Sequence, residues 1–380
     1  MARWVRPVVA SVAVGVAVVA MAPGAGAKPI GFASVVSSPT GGTAGPGPGA
    51  ETTVVADLDG DGRLDVVVTD AVTTTPRALR NTGGGHFAAA QPLPAAFGVL
   101  SIGTGDFNGD GRPDVVGRNP YGVVLWTGNG NGTFELAQRV LTPSNAQPAI
   151  AVGDVDGDGR PDVVTTTITG FQVLRGTGTR LAAQRPIRAL GVLSDVAVGH
   201  LDGDGHLDVV LADATPLAQG ARVFLGRGDG TFAASGRART GFGPEAASLG
   251  DLNHDGFDDV VTSDSFSAVS QPPRFSITVL LSDGHGGFAS RATYLTADGP
   301  VSGAIGDLDE DGDRDVVVAG VAGASLAVYA NDGSGLLTRV AVPDVVLAPQ
   351  TPVIADFDGD GHPDIAVPGV GQLSVLLNGS

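Results

Sequence analysis

The sequence predicts an all-β fold, a seven-bladed β-propeller of four-stranded antiparallel blades with calcium-binding loops between the first and second strands. Three observations predict it. The stretch Asp57-Leu58-Asp59-Gly60-Asp61-Gly62-Arg63-Leu64-Asp65 recurs, with further copies starting at Asp106, Asp154, His200, Asp251, Asp307 and Asp356. Successive starts lie 49, 48, 46, 51, 56 and 49 residues apart, a period at which each repeat makes one propeller blade. The 380 residues hold 59 Gly and 25 Pro with only 5% aromatics, which suits short strands and many turns.

Aligned, the copies read [D/H]-[L/F/V]-[D/N]-x-D-G-x-x-D. Oxygen-bearing side chains at alternate positions converge on one hard cation if the backbone turns sharply. Glycine at the sixth position, from Gly62 to Gly361, permits that turn. The seventh residue can add a backbone carbonyl and the ninth another carboxylate. Oxygen donors without nearby Cys or paired His select calcium over transition metals. The competing reading is a plain Asp-Gly turn whose carboxylates cap backbone N–H groups.

Taken in order, the chain begins with an export signal over residues 1–27. Arg3 and Arg6 supply positive charge, Val8 to Met21 an apolar stretch, and Ala25-Gly26-Ala27 a cleavage signature. An uncleaved anchor is the alternative, but the stretch is shorter than the ~20 residues a spanning helix needs. No later segment is apolar enough to span a membrane. With no cysteine, disulfides and a lipidated cysteine are excluded. The expectation is a secreted, monomeric propeller over residues 28–380.

The formal charge of −18 is concentrated rather than spread, because 28 of the 40 acidic residues sit in the seven loops. Outside them no basic track for nucleic acid exists.

Each repeat accommodates four strands, labelled A to D from the axis outwards. Strand A precedes the loop, as in Thr53–Ala56, and always ends on a small residue, Gly or Ala. Bulk there would collide where the innermost strands crowd together. Strand B follows the loop as a valine-rich run, fit to be buried between blades. Strand C leads through a glycine turn such as Gly130-Asn131-Gly132 into strand D. The seventh repeat shows no strand D after Leu373–Leu377. The segment 30–36 resembles other D strands and is expected to close that blade, with the Pro/Gly-rich stretch 37–50 as connector. A loose N-terminal tail is the alternative.

The repeated loop, with its G-x-G-x-F turn after strand C, resembles the FG-GAP/VCBS repeats and, through them, the integrin α-subunit propeller. The resemblance covers about residues 30–380 and implies calcium in the A–B loops. Carried over by position, the ligands are Asp57, Asp59, Asp61 and Asp65 in loop one, and Asp106, Asn108, Asp110 and Asp114 in loop two. Loop three offers Asp154, Asp156, Asp158 and Asp162, and loop four only Asp202, Asp204 and Asp208. Loop five offers Asp251, Asn253, Asp255 and Asp259, and loop six Asp307, Asp309, Asp311 and Asp315. Loop seven offers Asp356, Asp358, Asp360 and Asp364. His200 replaces the first ligand of loop four and leaves that site in doubt.

No catalytic signature is present: there is no G-x-S-x-G elbow, H-E-x-x-H or P-loop. The histidines read as solvated turn residues. The expected role is adhesion or scaffolding for a protein or cell-surface partner. A lectin is the alternative, weakened by the few aromatics (Tyr121, Trp126, Tyr294, Tyr329), and a polysaccharide lyase or phosphodiesterase is a further one. Because the A–B loops are alike, a protein or glycan ligand is expected on the opposite face, at the variable B–C connections of blades four and five.

Overall fold

In a computed structural model, the described residues are 12–13, 30–40, 52–69, 74–95, 97–143, 147–265, 275–296, 299–320, 325–340, 344–345 and 348–379. They build seven antiparallel blades in the order A-B-C-D; six are four-stranded sheets, while in blade three strand D is split into Leu181–Ala183 and Ile187–Arg188 and Val12–Ala13 adds a strand beside strand A. Blade two is typical, with strands Ser101–Gly105, Asp114–Asn119, Gly122–Gly128 and Phe134–Leu141. Strands A of neighbouring blades pack against one another about the axis. The alternation of hairpins puts A–B and C–D turns on one face and B–C and D–A connections on the other.

Strand B is buried along its length in every blade, as in Asp162–Thr167 and Asp315–Gly320, apart from half-buried Asn119 at the end of blade two's strand. Both of its faces meet neighbouring blades, which is why these runs are apolar rather than alternating. Strand B begins one residue before the valine run the sequence singles out: the ninth loop aspartate is its first residue in all seven blades. That aspartate pairs across to the small residue ending strand A, as Asp162 does with Gly153.

The small residue is explained by the next blade. A Cβ on Gly153 would lie 2.7 Å from Leu207, and one on Gly105 3.1 Å from Pro161. Both neighbours occupy the eighth position of the following loop, so any larger side chain would push two blades apart.

Blade seven takes its fourth strand from the beginning of the chain. Phe32–Pro39 pairs antiparallel with Gln372–Asn378, so the strand runs three residues into the stretch assigned by sequence to the connector. The rest of that connector, 41–50, and the stretch 1–27 that the sequence reads as an export signal lie outside the described residues, except that Val12–Ala13 pairs with Ala151 and Val152 on strand A of blade three. Removing residues 28–39 is expected to expose the edge of Gln372–Asn378 and to give a less stable, self-associating product. Size-exclusion chromatography and thermal melting check this; an unchanged elution and melt would mean the strand is dispensable.

Candidate metal loops and the face opposite them

Six of the seven loops share one geometry. The first aspartate accepts the sixth-position glycine N–H on Oδ2, at 2.9 Å for Asp57 and Gly62 and 2.7 Å for Asp154 and Gly159. The same bond forms at Asp106, Asp251, Asp307 and Asp356. The fifth residue accepts the N–H two residues on, as Asp110 does from Arg112 at 2.9 Å. These caps fold the turn so that alternate side chains point inward. Four carboxylate trios each bring ligand atoms within 4.8 Å of one another: Asp57, Asp59 and Asp61; Asp154, Asp156 and Asp162; Asp307, Asp309 and Asp311; Asp356, Asp358 and Asp360. Loops two and five carry Asn108 and Asn253 at the third position, whose amide oxygens fill the same place.

These clusters could hold metal ions. Asp59 Oδ1 and Asp307 Oδ1 are buried and accept no hydrogen bond, which is costly for a carboxylate unless a cation sits beside it. Among the described residues the clusters are only partly neutralised by arginine. Arg63 pairs with Asp61, Arg160 with Asp158, and Arg80 lies 3.4 Å from Asp59.

The ninth aspartate has a second task that its sequence position did not disclose. Asp162 accepts Val155 N–H on Oδ2 at 3.1 Å and Gly176 N–H on Oδ1 at 2.7 Å. It thus staples the start of its loop to the end of strand C. Asp65, Asp114, Asp208, Asp259, Asp315 and Asp364 repeat both bonds. Burial pushes these carboxyls up, to about 7 for Asp162 and Asp364, although the backbone N–H bonds oppose the shift.

Neighbouring loops are tied together. The second-position carbonyl of one loop accepts from the C–D turn of the next blade. Leu252 O takes Asn331 Nδ2 at 2.7 Å, Leu308 O takes Asn378 Nδ2 at 2.7 Å, and Phe357 O takes Asn81 Nδ2 at 2.8 Å across the ring closure. Two histidines read from sequence as solvated turns also bridge loops: His254 binds Asp313, and His362 binds Glu310. The signal was present at the fourth loop position. Glycine stands there in five loops and is left-handed in four of them, whereas His254 and Glu310 hold that left-handed backbone with φ of 60° and 58°.

Loop four departs in its backbone as well as its first residue. His200 cannot cap Gly205; its Nδ1 instead sits 3.0 Å from His206 O. Asp258 of loop five takes over, accepting His200 N–H at 2.9 Å and donating its own N–H to His200 O at 2.7 Å. Asp202 forms a bridge with His285 of the following blade. Asp202, Asp204 and Asp208 are not gathered as the trios are.

Among the described residues, three buried acids lie outside the loops: Asp195, Asp213 and Asp264. Asp195 on strand A of blade four accepts Ala247 N–H of blade five at 3.1 Å, and burial pushes its carboxyl from 3.8 up to about 7. A raised folded value means the fold binds the proton more tightly, so stability falls as pH rises from about 4 to 7 and stays low above. Relative to wild type, Asp195→Asn is therefore expected to gain about 2–3 kcal/mol between pH 5 and pH 8. Urea unfolding of both proteins at fixed calcium checks this, and parallel pH profiles would show that Asp195 does not titrate in this range.

The opposite face is chemically different. Of the aromatics available for stacking, Trp126 and Tyr329 are buried, and the Tyr294 hydroxyl accepts Leu337 N–H at 3.0 Å. Tyr121 is 77% exposed in the B–C turn of blade two. Of the blade-five B–C connection, 264–275, the longest in the sequence, residues 266–274 lie outside the described residues.

Residues 57–117, 106–165, 200–262 and 307–367 match the FG-GAP-like repeat. The chain is similar to an Agrocybe aegerita lectin, described as specifically recognising non-reducing terminal N-acetylglucosamine. That match has 19% identity, a TM-score of 0.55, and covers 91% of this chain and 97% of the other. It is also similar to BBS1N, solved in complex with ARL6DN, with 13% identity, a TM-score of 0.60, and coverage of 90% and 96%. No curated protein matches. At such identities these structures speak for the fold alone. The repeat matches, set on seven blades whose acidic turns mostly share one capped geometry, place this chain in the FG-GAP-like repeat family.

Proposed function

We propose that this protein is a secreted, calcium-binding propeller that serves as an adhesion or binding scaffold for a protein or cell-surface partner. The first, third and fifth side chains of the six regular loops would hold calcium, with the ninth carboxylate behind them. Bound calcium would neutralise acids that otherwise repel one another and stiffen the rim they line. The ligand would sit on the other face.

One observation carries that assignment. Of the twelve exposed large hydrophobic residues among those described, nine lie at B–C or D–A connections or at the strand ends level with them. A rigid ring with uniform metal loops on one side and exposed apolar tips on the other has its recognition surface on the second. Tyr121 beside Phe97, whose carbonyl accepts Asn119 Nδ2 at 3.4 Å, also offers a sugar-stacking surface, which favours a lectin as second reading.

Labelled mature protein should bind target cells in millimolar calcium. Tyr121→Ser should weaken that binding, whereas Leu336→Ser on the calcium face should not. If the second variant loses binding and the first does not, the wrong face has been assigned. A glycan array run with the same proteins separates a lectin from a protein binder.

A further inference from the structure

The proposed function places the partner on the face opposite the metal loops, and resting on that reading we infer that blades two to five dock this face on an anionic lipid surface. The apolar residues there are single tips rather than the walls of a groove. Leu217 is 100% exposed, Leu141 83%, and Phe97 and Tyr121 77% each. They come from separate connections: Phe97 from D–A before blade two, Tyr121 and Leu217 from the B–C turns of blades two and four, and Leu141 from the end of a D strand. Isolated tips that stand clear of the body are poorly sheltered by another rigid protein, which must carry a matching pit for each. A fluid interface accommodates them individually, and aromatic and aliphatic tips partition into it.

The tips are held in place from below. Val192 N–H donates to Thr215 Oγ1 at 2.8 Å and Ala214 N–H to Val192 O at 2.8 Å, which ties the D–A connection to the turn bearing Leu217. Arg222 holds Leu190 O at 3.0 Å. Little chain entropy is then lost when the tips insert.

Charge selects the kind of surface. The acids of these blades are withdrawn on this side. Asp213 is buried between Arg222 and Arg237. Asp264 is buried under Thr262, Ser276 and Thr278 hydroxyls, and Asp195 is buried too. Glu245 is half-buried. Arg188 and Arg239, at the ends of D strands three and four, are exposed and form no ion pair among the described residues. Arg139, near the end of strand D of blade two, is exposed as well and donates to Ala95 O at 2.7 Å. Among the described residues of blades two to five, the metal-loop face is acidic and this one is basic and apolar, so an anionic bilayer is the complementary partner.

The test is co-sedimentation of the full mature chain, in millimolar calcium, with large unilamellar vesicles. One set is phosphatidylcholine alone and the other contains one-third phosphatidylglycerol. Binding is expected to the anionic vesicles, about tenfold weaker to the neutral ones, and to weaken as salt rises. Phe97→Ser with Leu217→Ser, and separately Arg188→Glu with Arg239→Glu, should each weaken binding about tenfold without altering the melting temperature. Leu336→Ser on the calcium face should bind as wild type does. The inference is overturned if the wild type ignores anionic vesicles. It is equally overturned if both opposite-face variants bind them unchanged, which is what calcium bridging through the acidic loops would give. Should cell binding still be lost in Tyr121→Ser when vesicles are ignored, the lipid inference alone fails and the scaffold reading stands.

Discussion

Excess EDTA is expected to lower the melting temperature by about 5–10 °C relative to millimolar calcium, and a calcium titration should saturate near six ions rather than seven. Extracellular calcium sites bind with Kd of roughly 10⁻⁴–10⁻³ M. At millimolar calcium each such site stabilises the fold by about 0.4–1.4 kcal/mol through mass action. With about 1–2 °C per kcal/mol for a domain of this size, six such sites give a shift of about 5–10 °C. The sign follows from the carboxylate trios held within 4.8 Å of one another, whose mutual repulsion is worst when no cation is bound. The stoichiometry follows from loop four, where His200 replaces the capping carboxylate and Asp258 occupies its backbone N–H. A melt indifferent to EDTA would refute structural calcium; a seventh ion lost in Asp204→Asn would restore loop four to the set.

Asp162→Ala is expected to destabilise the protein by about 2–6 kcal/mol, the cost of leaving two buried N–H donors unpaired. Those donors are Val155 N–H and Gly176 N–H, and Asp162 is wholly buried. The loss should persist in EDTA, because the staple acts through backbone hydrogen bonds and needs no ion. Asp158→Ala is the contrast. Its carboxylate accepts Arg160 N–H and is otherwise partly solvated, so its loss should matter in calcium and little in EDTA. Chemical denaturation of both variants in the two conditions separates staple from ligand. If Asp162→Ala were as stable as wild type in EDTA, the ninth carboxylate would be a ligand and nothing more.

The extent of what was legible follows the range of the forces involved. Repetition exposed the fold because each blade solves the same local problem: a capped turn, a buried valine run and a glycine hairpin, all written within nine to thirty neighbouring residues. The first, third and fifth loop residues were legible for the same reason, since their caps reach only two to five residues along the chain. The small residue before each loop was also legible, although the neighbour that requires it was not. Leu207 and Pro161 belong to the following blades.

What the sequence by itself determined, then, is the architecture, the number of blades and the positions of the acidic turns, because periodic patterning encodes short-range geometry. Only the tertiary structure decided how those turns are joined and which apolar residues are left uncovered. Asn378 reaches Leu308, 70 residues away, and His200 is bound by Asp258, 58 residues away. Nothing in the local pattern distinguishes those residues from other turn asparagines and aspartates. The exposed tips Phe97, Tyr121 and Leu217 look in sequence like any other hydrophobic residue near a strand. They become a surface only when the ring closes and leaves them without a neighbouring blade to cover them, since burial depends on packing between segments that no short-range pattern specifies.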